Sequence, residues 1–142
     1  AGDIARIAGL VNVNARWVGV NWQTLESTAA PGVHVLGDAT FSAPAMPKSG
    51  HMANQHGKVA AAAVIQLLTG QPVNATPVMT NTCYSFVTGS DAIHVASVHQ
   101  YDAAEKTFKT VAGSGGLSAE RNATEARYAL GWARNIWSDA LG

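Results

Sequence analysis

The residue in this sequence with the widest chemical range is Cys83, set in the string Asn81-Thr82-Cys83-Tyr84-Ser85. It is the single cysteine, so it is either a buried thiol filling apolar space or one half of a reactive pair completed by a sulfur outside this sequence. A second chemical feature lies upstream, in Val33-His34-Val35-Leu36-Gly37-Asp38-Ala39, which reads as a short apolar strand ending in Gly-Asp at a loop. An aspartate at a strand end can accept a hydrogen bond from a sugar-like hydroxyl, and the glycine beside it lets a ligand approach the backbone. The same two residues also suit a plain solvent-facing strand end. What separates the readings is Pro44-Ala45-Met46-Pro47-Lys48-Ser49-Gly50, which delivers a helix N-terminus within a few residues of Asp38. Free N–H groups and the positive end of the helix dipole would then face the ligand that Asp38 faces. Lys48 either adds its charge there or is a solvated lysine of the first turn.

The histidines carry no metal site in this reading. His51 and His56 fall on different faces of a helix, and His94 and His99 on opposite faces of a strand. All are expected at the surface or an interface, with His51 close enough to the helix start to influence proton chemistry there. Gly113-Ser114-Gly115-Gly116 is only superficially a phosphate loop, because no strand-to-helix nucleotide unit surrounds it, and it reads as a linker.

The elements that must position these residues follow from periodicity. Ile4 to Ala15 is short and mostly apolar, and Trp17 to Trp22 alternates as a brief strand would. Pro31-Gly32 marks a turn before the Val33 to Leu36 strand, and Pro44 with Pro47 is expected to hold Ala43 to Ser49 extended. Met52, Val59, Ala63, Val64, Leu67 and Leu68 predict a helix from about Ser49 to Leu68, stopped by Gly70 and Pro72. After a polar linker from Gln71 to Asn81, Cys83 to Thr88, Ala92 to Tyr101 and Thr107 to Val111 predict three antiparallel strands. A last helix is expected from an N-cap at Ser118, with Ala123, Ala126, Leu130, Ala133, Trp137 and Leu141 on one face.

Composition limits the partners. The 142 residues carry a formal net charge of zero and no basic run, which leaves nucleic acid and anionic lipid without electrostatic support. Sparse charge and abundant alanine suit a segment buried against other protein. No stretch is long and apolar enough to span a bilayer, and the beginning of the sequence lacks the pattern of a signal peptide, so any export signal is expected upstream.

Read together, Gly37-Asp38-Ala39, Pro47-Lys48-Ser49-Gly50, Ala53-Asn54-Gln55-His56-Gly57-Lys58-Val59-Ala60 and Asn81-Thr82-Cys83-Tyr84-Ser85 resemble the flavoprotein subunit of flavocytochrome c sulfide dehydrogenase, within the glutathione reductase-like superfamily. Tyr128-Ala129-Leu130-Gly131-Trp132, with Asn135-Ile136 and Asp139, is similar to that subunit's last helix. The resemblance implies an α+β fragment of an α/β flavoprotein with two dinucleotide-binding domains. Residues 1–72 would close the FAD-binding domain, and residues 73–142 would form an interface domain of small antiparallel sheet plus C-terminal helix.

It further implies that Gly37, Asp38, Pro47, Lys48, Ser49, Gly50 and Trp132 border FAD, with Asp38 at the ribityl chain and Trp132 near the flavin or on the way to a cytochrome. Cys83 would be one of two cysteines of a redox-active disulfide beside the flavin, its partner upstream. Sulfide would be oxidised to sulfur or polysulfide through a persulfide, with electrons leaving via FAD to a c-type cytochrome subunit that alone carries heme, in the periplasm. Upstream of the Gly-Asp strand the family shows Gly-Trp, a small residue, Pro-Val and a polar residue; in Arg16-Trp17-Val18-Gly19-Val20-Asn21 the Trp and Val remain, but Arg16 and Gly19 stand at the glycine and proline positions, and the Gly-x-Gly-x-x-Gly turn for the FAD pyrophosphate is absent. The N-terminal portion of the same flavoprotein is therefore an expected partner. A sulfide:quinone oxidoreductase is the enzyme alternative, opposed by the charges along the last helix. A non-catalytic interaction module is the other.

Overall fold

The computed structural model describes residues 2–142. It is an α+β arrangement in which a small antiparallel sheet carries one helix along its edge and another on its face. In order come α1 (Asp3–Ile7), a 3-10 turn (Gly37–Ala39), α2 (Gly50–Leu68), β1 (Val78–Phe86), β2 (Ala92–Asp102), β3 (Thr107–Thr110), β4 (Gly116–Leu117) and α3 (Ala123–Leu141).

Helix α2 begins and ends where its sequence says. Ser49, in extended conformation, accepts a hydrogen bond from the Met52 N–H and caps the start. At the other end Gly70 takes φ +68°, the Gly70 N–H donates to Leu67 O and the Gln71 N–H to Gln66 O, a Schellman closure that only a residue tolerant of the left-handed region makes without strain. The stripe turned inward is Met52, His56, Ala60 and Ala63.

Strand β1 begins at Val78, five positions before the expected start, because Val78 to Thr82 pair with Gln100 to Ala96 of β2. Odd-numbered residues of β1 and β2 share a face with even-numbered residues of β3. That face buries Met79, His99, Tyr101 and Phe108 against Trp22, Leu25, Met46 and Met52. Phe108 stands edge-on to both Trp22 and Tyr101, with ring centroids 5.8 and 5.9 Å apart. The core thus draws on the segments before and after α2 alike.

Four expectations are corrected. Val33 to Leu36 is not a buried strand: His34 makes a single bridge to Glu26, hydrogen bonds of ladder type run only to Leu25 and Ser27, and Val33 and Leu36 are 38% and 40% exposed. With pairing on one side only, the segment has no sheet to bury it, and it closes in the 3-10 turn. Trp17 to Trp22 likewise makes isolated bridges at Val18 and Val20. Ala43 to Met46 is not extended but folds into a tight turn, the Met46 N–H donating to Ala43 O and Ala45 taking φ +58°. The last helix starts at Asn122, not Ser118. Gly116 and Leu117 pair with β2, and the Ser118 hydroxyl accepts from the His94 N–H, so the sheet consumes the residues expected to open the helix. Asn122 caps instead, accepting from Glu125 N–H.

The face of α3 also differs from expectation. Ala126 and Ala129 are buried, whereas Trp137 and Leu141 are 63% and 84% exposed. Small residues let the helix approach β2 closely, which turns the larger apolar side chains outward.

Candidate functional site at the start of helix α2

Two side-chain groups meet the first turn of α2 from different directions. The first is the turn holding Gly37 and Asp38. Gly37 has φ +61°, and a Cβ there would lie 3.0 Å from the Ala53 Cβ, so both the backbone conformation and the close approach to α2 require glycine. Its N–H donates to His56 Nδ1 at 2.9 Å, and its carbonyl accepts from the Thr40 hydroxyl at 2.8 Å. Asp38 is held outward, its side chain exposed.

Lys48 does not simply point into solvent. Its ammonium donates to the backbone carbonyls of Asp38 (2.9 Å) and Thr40 (2.7 Å) and lies 4.0 Å from the centroid of the Trp17 ring. Partial burial lowers its pKa, with Arg16 adding to that and the Asp38 carboxylate opposing it. The lysine therefore ties the Gly37–Thr40 loop to the residue before the helix cap. Gly37, Asp38, Pro47 and Lys48 line one shallow crevice with Thr40, Met52 and His56. Gly50, the first residue of α2, is exposed with open space about its Cα.

The second group connects α2 to Cys83. The Ser49 hydroxyl accepts from Met52 N–H (3.0 Å) and donates to Asn81 Oδ1 (2.5 Å). The Asn81 amide nitrogen lies 3.6 Å from Cys83 Sγ and can donate to it. The Cys83 thiol in turn lies 3.7 Å from Asn81 Oδ1 and can donate to it, so the helix start is linked to Cys83 through two side chains. Asn81 is buried and Cys83 half-buried, on the sheet face that packs against the core. In a row across the sheet, Cys83 is opposite Val95, and Val95 opposite Leu117.

Trp132 reaches the same corner from α3. Its indole N–H donates to His51 Nδ1 at 3.4 Å, its ring lies 5.7 Å from His51 and 5.9 Å from Tyr84, and Tyr84 lies 5.8 Å from His94. His51 Nδ1 also accepts from Thr82 N–H at 2.9 Å, and Gln55 Oε1 accepts from Thr80 N–H at 3.5 Å. Helix α2 thereby covers the outer edge of β1 and satisfies donors that an open sheet edge would leave exposed. Burial holds the His51 pKa below its ordinary value, and Lys58 pushes the same way. Burial also raises the Tyr84 pKa, with Glu125 adding to it, so Tyr84 stays a phenol at neutral pH.

The structure thus gathers Gly37, Asp38, Pro47, Lys48, Ser49 and Gly50 about one helix start, brings Ser49 to Cys83 through Asn81, and sets Trp132 on the neighbouring residue His51. Two residues escaped the sequence reading. His56 and His99 are buried, not at the surface. For His56 the signal was present: it continues the stripe Met52, His56, Ala60, Ala63 and so belongs to the apolar face. His99 is held by the Ser97 hydroxyl at 2.9 Å from Nε2, a contact that depends on strand register.

Among the described residues no helix is long and apolar enough to cross a membrane. Residues 75–141, which hold β1 to α3 with Cys83 and Trp132, match the family model described as flavocytochrome c sulphide dehydrogenase, flavin-binding. That segment is thus similar to the flavin-binding part of flavocytochrome c sulphide dehydrogenase, an oxidoreductase whose cofactor is a flavin.

Proposed function

We propose that this chain supplies the cysteine-bearing side of an FAD-dependent sulfide-oxidising centre that delivers electrons to a c-type cytochrome. The observation that carries the reading is the hydrogen-bond series Met52 N–H, Ser49, Asn81, Cys83, because it joins the helix start beside Gly37-Asp38 to the sulfur. The residues present fit a flavin. An exposed carboxylate at Asp38 suits a ribityl hydroxyl, and the exposed start of α2 at Gly50 suits the negative charge of a reduced ring. In this reading residues 1–72 complete an FAD domain and residues 73–142 form the interface domain.

The reaction begins at sulfur. Hydrosulfide attacks a disulfide between Cys83 and a second cysteine outside this sequence. The S–S bond breaks, a new S–S bond forms to the incoming sulfur, and one cysteine leaves as thiolate. If Cys83 is the leaving thiolate, Asn81 Nδ2–H is placed to donate to it. Re-forming the disulfide releases the added sulfur at the zero-valent level, with one proton and the two electrons that sulfide has given up. The flavin, when bound, supplies a two-electron acceptor that returns electrons singly, the form in which a heme takes them. An oxidising compartment such as the periplasm suits a centre that must rest as a disulfide.

The test is anaerobic addition of sulfide to the complete flavoprotein, followed by oxidised c-type cytochrome. Bleached flavin absorption that returns as the heme is reduced is the expected result. A flavin spectrum indifferent to sulfide contradicts the proposal.

A further inference from the structure

We propose that His56 is a positioning residue for the cofactor: by accepting the Gly37 N–H it holds the Gly37-Asp38 turn in the conformation that presents Asp38 to the flavin. This rests on the reading that Asp38 borders the flavin. The inference comes from a buried histidine whose position satisfies the turn at its own expense. His56 is 2% exposed, its Nδ1 accepts the Gly37 N–H at 2.9 Å, and its Nε2 is buried without any hydrogen-bond partner. An acceptor at Nδ1 requires the neutral ring with its proton on Nε2. The His56 ring stands edge-on to the Trp22 ring, with centroids 5.5 Å apart.

An unsatisfied buried donor costs free energy, so packing alone would favour leucine or methionine on this stripe. What the imidazole provides in return is an acceptor for a backbone N–H that the left-handed Gly37 turns toward α2. The charged groups that act on the ring are Lys48, from the segment before α2, and Asp38, from the turn itself. Lys48 also holds the Asp38 and Thr40 carbonyls, so lysine and histidine grip opposite polarities of the same loop.

Asparagine is the discriminating replacement, because its Oδ1 falls near the position of Nδ1 and can accept the same bond without titrating. In the complete flavin-loaded protein, His56→Leu is expected to speed amide hydrogen exchange at Gly37 roughly tenfold, the effect of losing one buried hydrogen bond, and to alter the visible circular dichroism of the flavin. His56→Asn should restore both. The wild type should show a step in that dichroism as pH falls through about 4, a step that His56→Asn lacks. Should His56→Leu fail to fold, the acid titrations of wild type and His56→Asn still decide: a step in both, or in neither, overturns the proposal. Unchanged Gly37 exchange in His56→Leu overturns it as well. If Asp38→Asn alters the dichroism and His56→Leu does not, the proposal fails and the flavin placement stands. If neither alters it, the placement itself fails and the proposal with it.

Discussion

At the scale of single residues, three histidines are set for the neutral form by burial. The pKa of His56 is pushed down to about 4 by burial and then by Lys48, while His51 and His99 are lowered chiefly by burial. Each folded pKa lies below the unfolded value, so the unfolded chain binds protons that the native chain does not. The stabilisation is complete above about pH 6.5, the ordinary histidine value, and is lost as pH falls through each folded pKa. For His56 alone the difference amounts to about 3 kcal/mol. Urea unfolding at a series of pH values should show stability falling from pH 7 to 4, with a shallower fall in His56→Asn. Ala45 is a smaller case: at φ +58° in its turn it adopts a conformation glycine holds freely, so Ala45→Gly should stabilise the protein, by up to about 1 kcal/mol, in the same assay.

Helix α2 is the element on which the site depends, because its first turn touches both chemical groups. Ser49→Ala removes the cap and the donor to buried Asn81 together, and is expected to cost about 2 kcal/mol. Ser49→Thr keeps both bonds and should cost far less. Denaturant midpoints of the two variants check the difference. Gly37→Ala should cost more than an ordinary surface change, at least about 1 kcal/mol, since it meets Ala53 and the left-handed backbone at once.

Much of this element was legible beforehand. Ser49, Gly70 and the periodic stripe mark its limits, and the Pro47-Lys48-Ser49-Gly50 string marks the site. The Asn81 connection was not, because it depends on β1 starting at Val78, and the Gln71 to Asn81 segment reads as linker by composition. The Val33 to Leu36 strand misled for a related reason: apolar β-branched residues announce a strand, whereas burial needs sheet neighbours that those residues do not specify. Ser118 was a sound cap locally, and strand pairing with His94 outcompeted it.

For the molecule as a whole, the core joins Trp22 and Met46 from before α2 to Met79, Tyr101 and Phe108 from the sheet, so the Gly37-Asp38 loop and Cys83 rest on one packed body. Phe108→Ala should destabilise by about 3–5 kcal/mol and loosen both groups together, read as lower thermal stability and faster exchange at Gly37 as well as in β1. The fold class and the three main strands are read from the order of elements. The short fourth strand and the exposure of Trp137 and Leu141 are set by how closely α3 packs through Ala126 and Ala129, which periodicity alone does not determine.

The most direct test of the account is stepwise anaerobic sulfide titration of the complete flavoprotein carrying Cys83→Ser, with flavin absorption followed beside the wild type. The account predicts that the variant keeps its oxidised flavin spectrum and that added sulfide no longer bleaches it, whereas the wild type is bleached. Bleaching of the variant at the wild-type rate and extent would remove Cys83 from the reaction and contradict the account.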